Sequence, residues 1–296
     1  MKFLSYNIQY GIGLDGRYDL SRCARVMQDA DVIALQEVER HWPRTNNDDQ
    51  AALLSQMLPD HHWVYGPGFD MDASQRDVKG RLVNRRRQFG CMLLSRLPIV
   101  WSRCHIWPHR RTVTPFNMQG QALEGMIRTA WGPLRVISLH LSHVSEQERL
   151  AQIEFLLVRH RETPFDGGVW CGDEREDWAN GEAAPDNPLS AIWMGDFNST
   201  PDSTEYHRMV GSSPYHSGAL HVDAFHDSTT LGGHQADAFT SHDGPDEDGS
   251  HRRRRLDYCF TTADLACRVR GMNIDEAEGA SDHKPVWTEL DLEGPS

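Results

Sequence analysis

Lysine is nearly missing from this chain. It occurs only at Lys2, Lys79 and Lys284 among 30 basic residues, so arginine carries almost all of the positive charge. Acidic residues outnumber basic ones, 43 to 30, for a formal net charge of −13. That balance argues against a general polyanion binder, because domains that hold nucleic acid are usually basic. The six cysteines (Cys23, Cys91, Cys104, Cys171, Cys259, Cys267) include no CxxC pair. Their scatter fits reduced, mostly packed thiols of a cytosolic protein and excludes an obvious disulfide framework or zinc site. No apolar run approaches the roughly 20 residues that a membrane span needs, and Met1–Asn7 is too short and too polar for a signal peptide. A soluble, cytoplasmic protein is expected. Internal repeats and a domain-sized linker are also missing, so the 296 residues are expected to form one domain over 1–296.

A hydrophobic content of 39% is enough to build a core. The apolar segments alternate between strand and helix patterns. A strand towards Asn7 breaks at Gly11-Ile12-Gly13, and Leu20, Cys23, Ala24 and Met27 then fall at helical spacing behind Asp19 as a cap. Val32–Leu35 reads as a short buried strand delivering Gln36 and Glu37, followed by a helix over Asp48–Leu58 and a strand over His62–Tyr65. This order predicts an α/β layered fold. Pro67 to Arg87 and Pro108 to Gln121 lack an apolar period and read as long loops. Strands are expected over Gln88–Ser95 and Ile99–Ile106, then a hairpin of Leu123–Ala130 and Leu134–Leu139 that delivers His140. Ser145-Glu146-Gln147-Glu148 is a capping box opening a helix to about His160. Residues 163–189, rich in Gly, Pro, Asp and Glu, read as a surface insertion. A short helix near Ser203–Val210, a histidine-rich irregular stretch to His251 and strands at Leu256–Thr261, Cys267–Asn273 and Val286–Leu290 complete the chain.

The chemistry gathers where apolar strands end. Ala191-Ile192-Trp193-Met194 stops at Gly195-Asp196-Phe197-Asn198, where an acid and an amide spaced by two face one way if the chain stays extended. Alone, this stretch is equally an ordinary strand-ending turn. Asn7, Glu37, His140, Asp257, Asp282 and His283 occupy comparable places, and strand ends are where α/β sheets collect functional groups.

Taken in order, Tyr6-Asn7-Ile8, Leu35-Gln36-Glu37-Val38, Leu93-Leu94-Ser95-Arg96, Leu139-His140-Leu141, Gly195-Asp196-Phe197-Asn198, Leu256-Asp257-Tyr258 and Ser281-Asp282-His283 resemble the motifs of the endonuclease/exonuclease/phosphatase superfamily. The resemblance runs from Tyr6 to Val286. It implies an α/β four-layer sandwich of two packed mixed β-sheets flanked by helices, with the site at one edge. It also implies that Glu37 ligates a divalent metal, one or two ions of Mg²⁺ or Mn²⁺, with Asn7 close to the metal or a phosphate oxygen and Asp282 on the metal side. Hard oxygen ligands suit such ions. By the same resemblance Asp196 is the general base, Asn198 orients that base or the phosphate, and Asp257 holds His283, which hydrogen-bonds the phosphate. His140 donates to a phosphoryl oxygen or to the leaving group, and no acidic partner for it can be identified in the sequence.

The implied activity is metal-dependent phosphoester hydrolysis, most specifically of a small-molecule or lipid-derived phosphodiester. Arg87 and Arg255 are the arginines expected to clamp such an anion. A nuclease and a sphingomyelinase-type lipid phosphodiesterase are the alternatives, the first disfavoured by the −13 charge. A non-catalytic binding protein fits less well, since every metal and base position is retained.

Overall fold

The computed structural model describes residues 1–294 apart from 174, 212–218, 220 and 245–249, and apart from the side chain of residue 176. The strands run β1 (Lys2–Asn7), β2 (Val32–Arg40), β3 (His62–Asp72), β4 (Gln75–Arg76), β5 (Leu82–Val83), β6 (Arg86–Ser95) and β7 (Ile99–Ile106). They continue with β8 (Gln121–Arg128), β9 (Pro133–His140), β10 (Ala191–Asp196), β11 (His226–Asp227), β12 (Asp257–Thr261), β13 (Val269–Ile274) and β14 (Val286–Leu290). One six-stranded sheet has the order β13-β14-β1-β2-β6-β3, the other β11-β12-β10-β9-β8-β7. Each sheet is mixed: β1 pairs with β2 in parallel, β9 with β10 in parallel, and the other pairs are antiparallel.

Strand periodicity explains the layers. Phe3, Val32, Ala34, Leu93, Val136, Ile192 and Met194 point between the sheets and make the central core. Their neighbours Leu4, Tyr6, Ile33 and Leu35 point outward, under the helices Leu20–Met27 and Gln50–Met57. Ile137, Leu139, Ala191 and Trp193 do the same under the helices Glu146–Asp166 and Thr204–Val210. Helix, sheet, sheet and helix form the expected four layers. No helix among the described residues is long and apolar enough to cross a membrane.

Several local expectations change. Pro67 to Arg87 is not a loop: β3 and β6 stay paired out to Asp72 and Arg86, and the β4–β5 ribbon extends the arm. Residues 70–72, 75, 76, 82 and 83 are exposed, so water on both faces erases the apolar pattern that would have marked a strand. The capping box forms, with the Glu148 N–H donating to Ser145 Oγ at 3.0 Å. The helix then runs past His160 to Asp166 and takes in Pro164. Its last turns are tied by the Arg159 guanidinium to Glu162 and Asp166, and Thr163 remains buried. Residues 163–166 of the expected insertion therefore belong to this helix. The histidine-rich stretch contains β11 and the short helix Ser228–Leu231, and its residues 212–218, 220 and 245–249 lie outside the described residues.

Candidate active site

The parallel pairs explain where the site lies. β1 of one sheet and β9 and β10 of the other end at the same edge with Asn7, His140 and Asp196, whereas β2 does not stop after Leu35 as expected but carries Glu37 inside a strand that runs on to Arg40. Asn7 continues the inward series Phe3-Ser5-Asn7, and Asp196 continues Ile192-Met194-Asp196, so both side chains emerge from the central core rather than from an outer face. They meet across the sheets: Asn7 Nδ2 donates to Asp196 Oδ2 at 3.2 Å. In its own sheet Asp196 stands opposite His140 on one side and Asp257 on the other.

Glu37 reaches this edge by a different device. The pairing of β2 with β6 shifts register between Leu35 and Val38, and Glu37 takes a left-handed φ of 59°. A bulge of this kind re-aims one side chain, and here Asn7 Nδ2 donates to Glu37 Oε1 at 3.0 Å. Asn198 also has a positive φ, 48°, so of the two readings left open, an extended chain and a strand-ending turn, the turn holds at this residue. Asparagine tolerates that conformation better than most residues. The turn lets the Asn198 N–H donate to Asp196 Oδ1 at 2.8 Å, while Asn198 Nδ2 is committed to the Leu141 carbonyl at 2.9 Å. Phe197 turns into the core against Tyr258 and Phe260.

Asp196 is 1% exposed and faces two imidazoles. His140 Nε2 lies 3.5 Å and His283 Nε2 3.6 Å from Asp196 Oδ2. Asp196 is thus the carboxylate beside His140 that local sequence did not reveal. Burial pulls the Asp196 carboxyl upward, but His283, His140, the Asn198 N–H and the Asn7 amide together hold it below its ordinary value. His283 Nδ1 is 2.8 Å from Asp257 Oδ2. Burial lowers the His283 pKa, yet Asp257 and Asp196, with Asp282 beyond them, raise it well above the ordinary histidine value. Both carboxylates thus favour the protonated form of this ring, while burial raises the Asp257 pKa to about 6.

Three contributors escaped the sequence reading. Ser241 Oγ donates to Asp257 Oδ2 at 2.7 Å and accepts from the Leu256 and Asp257 N–H groups. His242 packs edge-on against His283 with ring centroids 4.8 Å apart, and its Nε2 lies 3.9 Å from Asp282 Oδ2. Gln9 Nε2 donates to Asp282 Oδ2 at 2.8 Å. Gln9 follows the Asn7 motif closely enough to have been suspected; Ser241 and His242 sit in a stretch with no periodic signal.

The donor set suits a hard divalent cation. Glu37, Asp196, Asp257 and Asp282 bring four carboxylates to one edge, and burial with the nearby Glu37 charge raises the Asp282 pKa. Two groups could each offer three ligand atoms within 4.8 Å of one another, His242-Asp282-His283 and Asp196-Asp257-His283.

The two expected arginines part company. Arg87 is half-buried at the root of the arm, with its guanidinium over the Trp42 ring at 5.6 Å from the centroid. Arg255 is not available to a substrate. It is 3% exposed, both ends of its fork are bonded to Asp227 at 2.7 and 2.8 Å, and it covers the Tyr258 ring. Its guanidinium is an internal strut because Asp227 and the Ala236 carbonyl take the N–H groups a phosphate would need.

Comparison with known proteins bears on the family and the fold. Residues 4–283 match the model of the Endonuclease/Exonuclease/phosphatase family. None of the curated proteins matches the chain. Among solved structures, an endonuclease/exonuclease/phosphatase from Beutenbergia cavernae DSM 12333 is similar with a TM-score of 0.63 at 18% identity, over 99% of this chain and 72% of that one. A family protein from Leptotrichia buccalis C-1013-b has a TM-score of 0.64 at 15% identity, over 98% of this chain and 99% of its own. A mannosyl-6-phosphatase from Bacteroides thetaiotaomicron VPI-5482 has a TM-score of 0.56 at 17% identity, again over 98% and 99%.

Proposed function

The chain belongs to the Endonuclease/Exonuclease/phosphatase family, and from that premise we propose that it hydrolyses a small-molecule or lipid-derived phosphodiester by attack of water at phosphorus. Members of the family are phosphoester hydrolases and generally use divalent metals. The observation that carries the reading is the Asp196 carboxylate: buried, kept ionised, and bounded by the Asn198 N–H, Asn7, His140 and His283 at 2.8 to 3.6 Å. A carboxylate fixed from four sides is placed to take a proton from one water in one direction.

The other roles follow from charge. His283, protonated and steadied by Asp257 and Ser241, donates to a phosphoryl oxygen as negative charge develops there. His140 lies on the opposite side of Asp196 Oδ2 and serves the same oxygen set or the departing alkoxide. Asn198 acts through its backbone N–H, fixing the base. Glu37 and Asp282, steered by Asn7 and Gln9, would hold Mg²⁺ or Mn²⁺. Such an ion, when bound, supplies Lewis-acid charge neutralisation at the phosphate. Arg87 beside Trp42 is the remaining arginine suited to the non-reacting part of the anion.

A nuclease is the second reading, supported by the cationic arm of Arg76, Lys79, Arg81 and Arg85 to Arg87 and opposed by the overall −13 charge. Cleavage of plasmid DNA with a steep salt dependence would favour it. The deciding experiment is hydrolysis of a chromogenic phosphodiester by purified protein with Mn²⁺ and with chelator. Turnover abolished by chelator is expected. If neither monoesters nor diesters turn over, the hydrolase reading fails.

A further inference from the structure

Ser241 to Asp243 belong to no named strand or helix, yet the backbone fixes them on two flanks. The His242 N–H donates to the Arg254 carbonyl at 2.9 Å, and the Arg254 N–H donates back to the His242 carbonyl at 3.1 Å. On the other flank the Lys284 N–H donates to the Ser241 carbonyl at 2.7 Å and the Asp243 N–H to the Asp282 carbonyl at 2.8 Å. This antiparallel bridge sets His242 opposite His283 and beside Asp282. We propose, resting on the metal-dependent hydrolase reading above, that His242 supplies its Nε2 as a nitrogen ligand to the divalent ion at Asp282, and so biases the site away from Mg²⁺ towards transition metals.

Distance is the first support. His242 Nε2 stands 3.9 Å from Asp282 Oδ2, beyond hydrogen-bond reach. Two atoms that each bind one ion at about 2.1 Å stand about 3 Å apart at a right angle and about 4 Å apart in line, so this separation suits a shared ion. Space is the second. Gly244 lies against both atoms: a Cβ there would come within 3.1 Å of Asp282 Oδ2 and 3.3 Å of His242 Nε2, so glycine keeps open the place where they converge. The third is the ring itself. His242 is 8% exposed and its Nδ1 is buried without a hydrogen-bond partner, which leaves Nε2 as the outlet for the ring's polarity. The Asp282 oxygen is also aimed. Gln9, held at a left-handed φ of 41°, donates to Oδ2 at 2.8 Å, and a carboxylate oxygen keeps a second lone pair for an ion. The neighbouring imidazole is engaged elsewhere: His283 turns Nδ1 to Asp257 at 2.8 Å and Nε2 towards Asp196 at 3.6 Å. Magnesium prefers an all-oxygen shell, whereas imidazole suits later divalent metals.

The test loads the full chain with one equivalent of Mn²⁺ and reads, by electron spin-echo spectroscopy, whether imidazole nitrogen is bonded directly to the ion. The wild-type protein is expected to show that coupling, His242→Gln to lose it, and His283→Gln to keep it. Calorimetric titration with Co²⁺ and with Mg²⁺ is expected to show the Co²⁺-to-Mg²⁺ affinity ratio falling by about tenfold or more in His242→Gln, because only the nitrogen ligand discriminates strongly between the two ions. Absence of the coupling in the wild-type protein overturns the assignment whether or not either variant folds. Coupling retained in a folded His242→Gln, coupling lost in a folded His283→Gln, or an unchanged affinity ratio overturns it as well. Neither measurement reads turnover, so the two readings fail separately. Chelator-sensitive hydrolysis without nitrogen coupling refutes the His242 ligand alone, and nitrogen-bound Mn²⁺ in a protein that hydrolyses no phosphoester refutes the hydrolase reading alone.

Discussion

Replacing Asp196 by asparagine changes one oxygen to an amino group and conserves the shape, yet the surroundings cannot accept it neutrally. Oδ1 receives the Asn198 N–H at 2.8 Å, and Oδ2 receives the Asn7 amide at 3.2 Å while facing the Nε2 atoms of His140 and His283. A carboxylate satisfies all of these because both its oxygens accept. The asparagine has one acceptor to offer. If it serves Asn198, its amino group confronts the amino group of Asn7; if it serves Asn7, it confronts the Asn198 N–H. One buried donor is left unpaired either way, at a cost of about 1–3 kcal/mol. The lost charge also removes one of the two nearest carboxylates that keep His283 protonated. Asp196→Asn should therefore lose both the base and part of the phosphate-facing positive charge, lowering kcat by about 10²–10⁴ or more. Steady-state hydrolysis of the chromogenic diester with Mn²⁺, together with urea melts of both proteins, reads the two effects separately. Activity within a few-fold of wild type in a folded Asp196→Asn protein would refute the base assignment.

Two further predictions concern groups away from the reacting atoms. His160 Nδ1 accepts from Arg135 Nη2 beneath the helix Glu146–Asp166, and burial, with the Arg135 charge behind it, lowers its pKa to about 4. The unfolded chain therefore binds more protons between about pH 6.5 and pH 4, and stability falls as pH drops through that window, by about 3 kcal/mol in full. His160→Gln keeps an acceptor and cannot titrate, so urea midpoints at pH 7.5 and 4.5 should converge in the variant relative to wild type; equal pH slopes would refute this. Arg255→Lys removes the fork that grips Asp227 and should destabilise the protein by about 3 kcal/mol or more, with KM for the diester nearly unchanged. A large rise in KM with intact stability would restore Arg255 to the substrate.

What could be read before folding was the set of strand-end motifs. Each consists of a few neighbouring residues, and the apolar run that precedes Asn7, His140 or Asp196 is itself the signal that the residue stands at a strand's end. The inward parity of Phe3-Ser5-Asn7 and of Ile192-Met194-Asp196 is likewise a local property. The arm was hidden because strands with water on both faces carry no apolar alternation. The insertion's first residues were misassigned because Pro164 suggests a helix end that burial of Thr163 and the Arg159 ion pairs override.

The amino-acid order alone pointed to the family and the layered fold, since those show in short-range periodicity and in residue types at strand ends. Only tertiary structure decided who meets whom across long separations. Asn7 and Asp196 lie 189 residues apart and touch because two sheets pack face to face. Ser241 and His242 join Asp257, Asp282 and His283 through a segment with no pattern of its own. Arg255 stands next to a motif and yet points into the protein, because the carboxylate that takes both ends of its fork, Asp227, is buried there. Direction and partnership are properties of packing, and no spacing along the chain encodes them.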